Sequence, residues 1–503
     1  MWLNLSLLIG VLLVVSDETS AHRILGVFPL GMPSHYFLGN SLLKGLAEAG
    51  HDVTIVTVFH EKNPPNGTYR EIFLDGVYET QRDSDIFKAV LSVKKTQTNF
   101  IPFLWIYQMN TLGYFVCEET LKHQKMQDLI KSNEKFDVFI TSQFLIESLK
   151  GLAPHFNAHQ VIFNNVMANS WMNHLVGNPS LPSFHPEIML GFPPKMSFYQ
   201  RMHNTFYKFV QTLNYHMFYY PTHNELVQKY ISEDISLYDV LYNVSLVLSN
   251  SHPSLTVIQP SVPVIKEIGG FHVSPPKALT GDLKSYLDGA ENGVIYFSLG
   301  SYLKSEDLSA DTRAALLNAF AKRRERVIWK WDDAVLPGQP SNVKVAKWLP
   351  QSDILAHPNI KLFITHGGYL SRTETVYHGV PVIALPILGD QRMNAKAAVN
   401  DGYGIALDIS NLTEAALSAA IEEILSNPKY IDNVKLRSRI MRDRKQTPIE
   451  EAAYWIDYIV KYNGAEHLRV PYLELTWYQF YLFDVGLVIL GAILVPIYIL
   501  RKL

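Results

Sequence analysis

Cysteine is nearly missing from this chain of 503 residues: Cys117 is the single one. One thiol cannot make an intrachain disulfide, so no cross-linked framework holds the fold. Compartment stays undecided on that ground, because a chain this long buries enough core to do without staples. An excess of one charge is also lacking. Lys and Arg number 44 against 47 Asp and Glu, a formal net charge of −3, and so even a balance argues against nucleic acid as the main partner. No cluster of His, Cys, Asp or Glu has the spacing of a metal site, so no metal ligand is assigned. Neither Gly-x-Ser-x-Gly nor Gly-x-Gly-x-x-Gly occurs where it would be needed.

What is present begins with the two ends. Residues 1–16 are almost wholly apolar, and Thr19 and Ala21 suit signal-peptidase cleavage before His22, although the stretch carries no basic side chain at its start. At the other end 485–500 (VGLVILGAILVPIYIL) is uncharged. Extended back to Phe480, the run approaches the ~20 residues that cross a bilayer. Trp477, Tyr478 and Tyr481 precede it and Arg501-Lys502 follows. That asymmetry predicts a cytosolic tail and a lumenal bulk, with the acceptor glycosylation sequons Asn66, Asn243 and Asn411 on the lumenal side. A buried hairpin helix is the alternative.

Between the ends the pattern is α/β. RILGVF (23–28) reads as a strand, a helix follows from His35 to about Ala49, and DVTIVTVF (52–59) reads as the next strand. Further strands are expected at 136–141, 161–165 and 246–249. A second unit follows, with strands at 294–298, 326–330, 343–347, 361–365, 381–385 and 405–408 and helices at 308–322 and 369–378. Strands alternating with helices at these lengths imply parallel sheets with a ligand crevice at the strand carboxyl ends. The link between the units falls at 271–290, where HVSPPKALTGD interrupts the pattern. Residues 170–225 are rich in aromatics and methionine without clean periodicity. They fit packed irregular helices, an apolar acceptor wall or a membrane-facing patch.

The densest constellation is FITHGGYLSRTETVYHGVPVIALPILGDQ, residues 363–391. Gly367 and Gly368 end a strand and let backbone approach an anion, and the helix opening at Tyr369 aims free amides at it. Ser371 adds a hydroxyl in the first turn. Glu374, three residues on along the same face, is placed to accept from ribose-type hydroxyls. Asp390 and Gln391 pair an acceptor with an amide beyond the next strand. Upstream, Ser298-Leu-Gly-Ser301 is a second glycine-serine turn, and Trp348-Leu-Pro-Gln351 sets an aromatic ring beside a rigid turn, suited to stacking on a base. His35, where the first strand turns into a helix, has a side chain able to take a proton near neutrality.

With these segments together, the chain resembles the membrane-bound UDP-glycosyltransferases of animals, its tail and length being similar to the insect branch. The resemblance rests on the 363–391 signature and on PSHYFLGNSLLKGLAEAGHDVTIVT. It implies two facing Rossmann-like domains of the GT-B type plus a C-terminal transmembrane helix: a signal peptide at 1–21, an acceptor-binding domain at 22–270, the linker at 271–290, and a UDP-sugar-binding domain at 291–445. Returning helices would occupy 446–479, the membrane span 480–500 and a cytosolic tail 501–503, with the catalytic domains in the lumen of the endoplasmic reticulum. By the same resemblance Trp348 and Gln351 contact uracil, and Ser301, His366, Gly368 and Ser371 surround the diphosphate. Glu374 then binds ribose, Asp390 and Gln391 bind the sugar, and His35 is the catalytic base. The implied reaction is an inverting, metal-independent transfer of a hexose, glucose on the insect likeness or else glucuronate, to a small lipophilic phenol, steroid or terpenoid alcohol. The UDP-sugar is a co-substrate and no cofactor is implied. A homo-oligomer is left open.

One position departs from the resemblance. An acidic residue commonly lies near the end of the strand matching FDVFIT, where Ser142 stands here. A hydroxyl does not offset an imidazolium as a carboxylate does. Four readings follow: weaker assistance to His35, substitution by Glu147, an acceptor as acidic as a phenol (pKa about 10), or a catalytically impaired protein that binds UDP-sugar without turnover.

Overall fold

The computed structural model describes residues 21–92, 101–167, 169–300, 308–333, 335–387 and 390–503. The expected cleavage region through residue 20, and Ser301, lie outside them.

Two parallel sheets organise the chain. The first has seven strands in the order β3-β2-β1-β4-β5-β6-β7, built from Arg23–Phe28, Asp52–Thr57, Tyr69–Phe73, Val138–Ser142, His159–Asn164, Leu246–Ser249 and Ile265–Glu267 as β1 to β7. The second has six in the order β10-β9-β8-β11-β12-β13, from Val294–Ser298, Arg326–Lys330, Val343–Ala346, Ile360–Thr365, Val382–Ala384 and Gly404–Ala406 as β8 to β13. Every strand pair runs parallel. In each sheet the order reverses at the first strand, which opens a crevice at the carboxyl ends beside β1 and beside β8. The lobes are Rossmann-like.

Near-continuous apolar strands suit sheets covered on both faces. In β1, Leu25 and Val27 point into one core cluster while Ile24 and Phe28 point into the other. In β8, Ile295 and Phe297 part from Val294 and Tyr296 in the same way. The strands β3 and β7 escape the sequence pattern, because YREIF is polar and only partly buried and IKE is three residues long.

The carboxyl end of the chain returns to the first lobe. Thr447 and Glu450 form a capping box at the start of the helix Pro448–Lys461, which buries Ala452, Ile456 and Ile459. These three, spaced as one helical face, join the core that holds Leu42 and Leu46 of the helix Pro33–Glu48. A second tie lies between the two stretches that cross from lobe to lobe: Arg444 Nη2 donates to the Gly269 carbonyl at 2.6 Å. Within the expected linker a helix, Gly281–Asp288, buries Leu287 in the second lobe's core. Phe483–Lys502 forms a helix of 20 residues with a mean hydropathy of 2.4 and no part of it buried.

Candidate active site

At the end of β1 the chain turns through Pro29 to Pro33 into the first helix. Buried Gln81 fixes this turn by accepting from the Gly31 N–H at 2.7 Å and donating to the Pro29 carbonyl at 3.0 Å. Pro33 opens the helix, where a missing N–H costs nothing. His35 therefore stands in the first turn, at the crevice. Burial pushes its imidazole down to about 4, so the ring is neutral at pH 7. Its Nδ1 pairs with the side-chain amide of Asn165 at 2.5 Å. Among the described residues that hydrogen bond runs to neither Ser142 nor Glu147. Ser142 is buried at the end of β4, and Glu147 accepts from the Tyr219 hydroxyl and from Gln143 Nε2.

The His35 ring lies 4.9 Å from that of Phe144. Phe144 also lines a cavity whose wall includes Trp105, Trp171, Tyr207 and Tyr215, with Glu147 as its carboxylate. The aromatic region at 170–225 thus serves two faces. Tyr207, Gln211 and Tyr215 turn into the cavity, while Phe198, Met202, Phe206, Phe209 and Leu213 of the helix Phe198–Asn214 are exposed. Trp105 and Met109, which composition did not single out, complete the wall from the helix Ile101–Lys122.

Across the crevice, the second lobe gathers the signature. Gly367, at φ +81°, turns the chain out of β11, and Gly368 caps the helix Tyr369–His378. The His366 ring is wedged between two glycines. A Cβ on Gly300 would stand 2.8 Å from its Cε1, and one on Gly368 2.5 Å from its Nε2. Burial lowers His366 to about 4, so at neutral pH it offers one N–H and no charge. Gln351 Nε2 donates to Ser371 Oγ at 3.1 Å and to Glu374 Oε2, while the Tyr296 hydroxyl donates to Gln351 Oε1 at 3.4 Å. Three side chains separated by up to 23 positions thus form one polar surface. Burial raises the Glu374 carboxyl to about 7, against the opposing pull of Gln351. Trp348 lies at the rim, 78% exposed.

Asp390 caps the helix Gln391–Asn400, and burial raises its carboxyl. Asn394 Nδ2 bridges Asp390 Oδ2 at 2.6 Å and the Gly367 carbonyl at 3.0 Å, which welds the two halves of the signature. Gln391 Oε1 accepts from the Ile387 N–H at 2.8 Å. Asn394 was not anticipated, although its four-residue offset from Asp390 is a helical contact. The lobes meet where the Tyr369 hydroxyl donates to the Asn250 carbonyl at 2.6 Å and where Leu370 packs against the core of the first lobe. The described residues hold no group of three or more His, Cys, Asp or Glu that could bind a metal ion.

The crevice thus sets two glycines at a helix N-terminus and a carboxylate–amide–hydroxyl triad on one wall against a histidine beside an aromatic cavity on the other. Residues 25–503 match the family described as UDP-glucoronosyl and UDP-glucosyl transferase. The chain belongs to this family. A UDP-glycosyltransferase UGT5 of Dactylopius coccus is 36% identical over 469 residues, covering 92% of this chain and 88% of that one. The 2-hydroxyacylsphingosine 1-beta-galactosyltransferase of Homo sapiens is 30% identical over 488 residues, covering 94% and 86%. In fold the chain is similar to a UDP-glucose: anthocyanidin 3-O-glucosyltransferase solved with UDP, with a TM-score of 0.56, 16% identity and coverage of 88% and 99%. A glycosyltransferase of the family draws its sugar from a UDP-sugar, and the two Rossmann-like lobes are the architecture on which it does so.

Proposed function

We propose that this glycosyltransferase moves glucose from UDP-glucose to the hydroxyl of a small lipophilic acceptor, with inversion at the anomeric carbon. The observation that carries the reading is His35, neutral and hydrogen-bonded at Nδ1, in ring contact with Phe144 of the aromatic cavity. With the Asn165 amide turned so that its oxygen accepts from Nδ1–H, Nε2 is left to take the acceptor proton as the acceptor oxygen bonds to the anomeric carbon. The bond to the diphosphate oxygen breaks, and UDP leaves with the electron pair. The amides opening the helix at Tyr369 and the N–H of His366 meet the charge that gathers on the departing diphosphate. Gln351, Ser371 and Glu374 hold the nucleoside, and Asp390 and Gln391 hold the sugar. Ser301 lines the diphosphate, and Trp348, swinging from the rim, stacks on the base.

Glucose is favoured because the similar proteins of Dactylopius coccus include one described as UDP-glucosyltransferase 2, at 34% identity. The exposed apolar helix Phe483–Lys502, with Trp477 and Tyr478 before it, supports anchoring in the endoplasmic reticulum membrane with both lobes in the lumen. Asn66, Asn243 and Asn411 are all exposed, as acceptors of N-glycans must be. The test is transfer by isolated membranes given UDP-glucose, UDP-galactose or UDP-glucuronate with a panel of phenols, steroids and terpenoid alcohols. Acceptor-dependent release of UDP from UDP-glucose is expected. Release only with another donor would reject glucose, and a chain whose mobility is unchanged by glycosidase would reject the lumenal placement.

A further inference from the structure

Asn165 follows β5 and is itself buried, with 8% of its surface exposed. Its backbone carbonyl accepts from Asn250 Nδ2 at 3.0 Å, and the Asn250 N–H donates to the Asn164 carbonyl at 2.9 Å. The Asn250 carbonyl in turn accepts from the Tyr369 hydroxyl at 2.6 Å. A continuous chain of hydrogen bonds therefore runs from the first residue of the donor-side helix through Asn250 and Asn165 to His35. Asn250 thus fixes the Asn165 main chain before any acceptor arrives, and the side-chain amide meets His35 through one end, its Oδ1 being buried without a hydrogen-bond partner.

An amide has a donor end and an acceptor end, interchanged by a half-turn. With the oxygen toward the ring, it accepts from Nδ1–H and leaves the Nε2 lone pair free for a proton. In neither orientation does it bring a negative charge. The ionisable groups on the surrounding elements are engaged elsewhere: Glu147 accepts from Tyr219 and Gln143, Lys150 donates to Gln143, and Tyr36 rests against Phe59. An imidazolium formed at His35 would thus be oriented but uncompensated, and proton transfer to it is favourable only from an oxygen that gives its proton up readily.

Resting on the catalytic reading above, we propose that Asn165 is the positioning residue of His35, and that its neutral amide restricts transfer to acceptors with acidic hydroxyls, phenols and enols, over aliphatic alcohols. A phenol ionises near pH 10, whereas an aliphatic hydroxyl lies near water, at about 15.7. The difference falls on the transfer step and leaves donor binding alone.

The test uses the full-length enzyme in membranes, with Asn165→Asp and Asn165→Ala beside wild type. Each is assayed on a phenol and on a primary alcohol of matched size, with UDP affinity measured in parallel. Wild type is expected to favour the phenol. Asn165→Asp, which restores a charge at unchanged shape, should raise the alcohol-to-phenol ratio of kcat/KM at least about tenfold and move the acidic limb of the pH profile upward. Asn165→Ala should lower kcat on both acceptors about tenfold, with KM and UDP affinity close to wild type. Variants that match wild type in ratio and pH limb would overturn the inference, and so would a wild type indifferent to acceptor acidity. A wild type that transfers from no UDP-sugar would overturn the catalytic reading itself.

Discussion

Glu374 keeps its proton until about pH 7, because burial outweighs the hydrogen bond from Gln351. A ribose hydroxyl needs an acceptor, so with Glu374 in the role proposed above UDP-sugar would meet the ionised form better and its binding would expel a proton. Since the folded value is raised, the ionised form gains population as pH climbs through about 7. UDP affinity should therefore rise between pH 6 and 8 by calorimetry. Glu374→Gln should flatten that slope and weaken binding overall by about 10- to 100-fold, the worth of a hydrogen bond to a charged group. A slope that persists in the variant would assign it to another group. The grouping of Gly367, Gly368, Ser371 and Glu374 was legible in the sequence because they sit at fixed offsets on one strand–turn–helix. Asn165 was not, since it meets His35 across 130 positions. Nothing local marks a single asparagine after a strand as the partner of a histidine in another element. Trp348 gave the opposite lesson: its type was informative, but its exposed rim position is a property of the turn.

The element that decides the phosphate side is the turn joining β11 to the helix Tyr369–His378. Gly368 has φ −60°, a value open to any residue, so its role is steric. Alanine there would place a methyl group against His366 Nε2 with no backbone strain. Gly368→Ala should therefore displace the His366 ring, lowering the melting temperature by a few degrees and donor affinity by about tenfold, roughly 1.4 kcal/mol. Thermal melts and UDP titration on one sample check both halves. Strand periodicity exposed most of both sheets, yet it missed β3 and β7, whose pairing neighbours supply the structure that their own residues do not. The linker was read from its proline and glycine punctuation. Its second half is helical because Leu287 finds the core of the second lobe.

Across the whole molecule, buried histidines set the response to acid. His35, His252, His366 and His378 are lowered to about 4, and His223 and His272 to about 3, each chiefly by burial. A lowered histidine takes up its proton earlier unfolded than folded, so the unfolded chain binds more protons between about pH 4 and 6.5. The stability these six confer is complete above 6.5 and drains away as pH falls. Glu187, Glu374, Asp390 and Asp401, raised by burial, work in the opposite sense as their carboxyls ionise. Six against four leaves the histidines ahead. The melting temperature should climb from pH 4.5 to 6.5, and a flat or falling profile would mean that the raised carboxyls dominate. The two-lobed plan itself was visible in the order of strands and helices. That the helix Pro448–Lys461 returns to the first lobe was implied by the resemblance and not by its own pattern, because its face of Ala452, Ile456 and Ile459 would suit either core.

The return of Pro448–Lys461 to the first lobe makes the polypeptide pass between lobes twice, with Arg444 and Gly269 clasping the passages. A body hung on two parallel straps swings about one axis and resists twisting about the others. Two passages side by side favour a hinge about one axis over free rotation of one lobe on the other. A protease that severs one strap would leave two fragments still joined and in register, so a clipped molecule would run as one species until it is denatured.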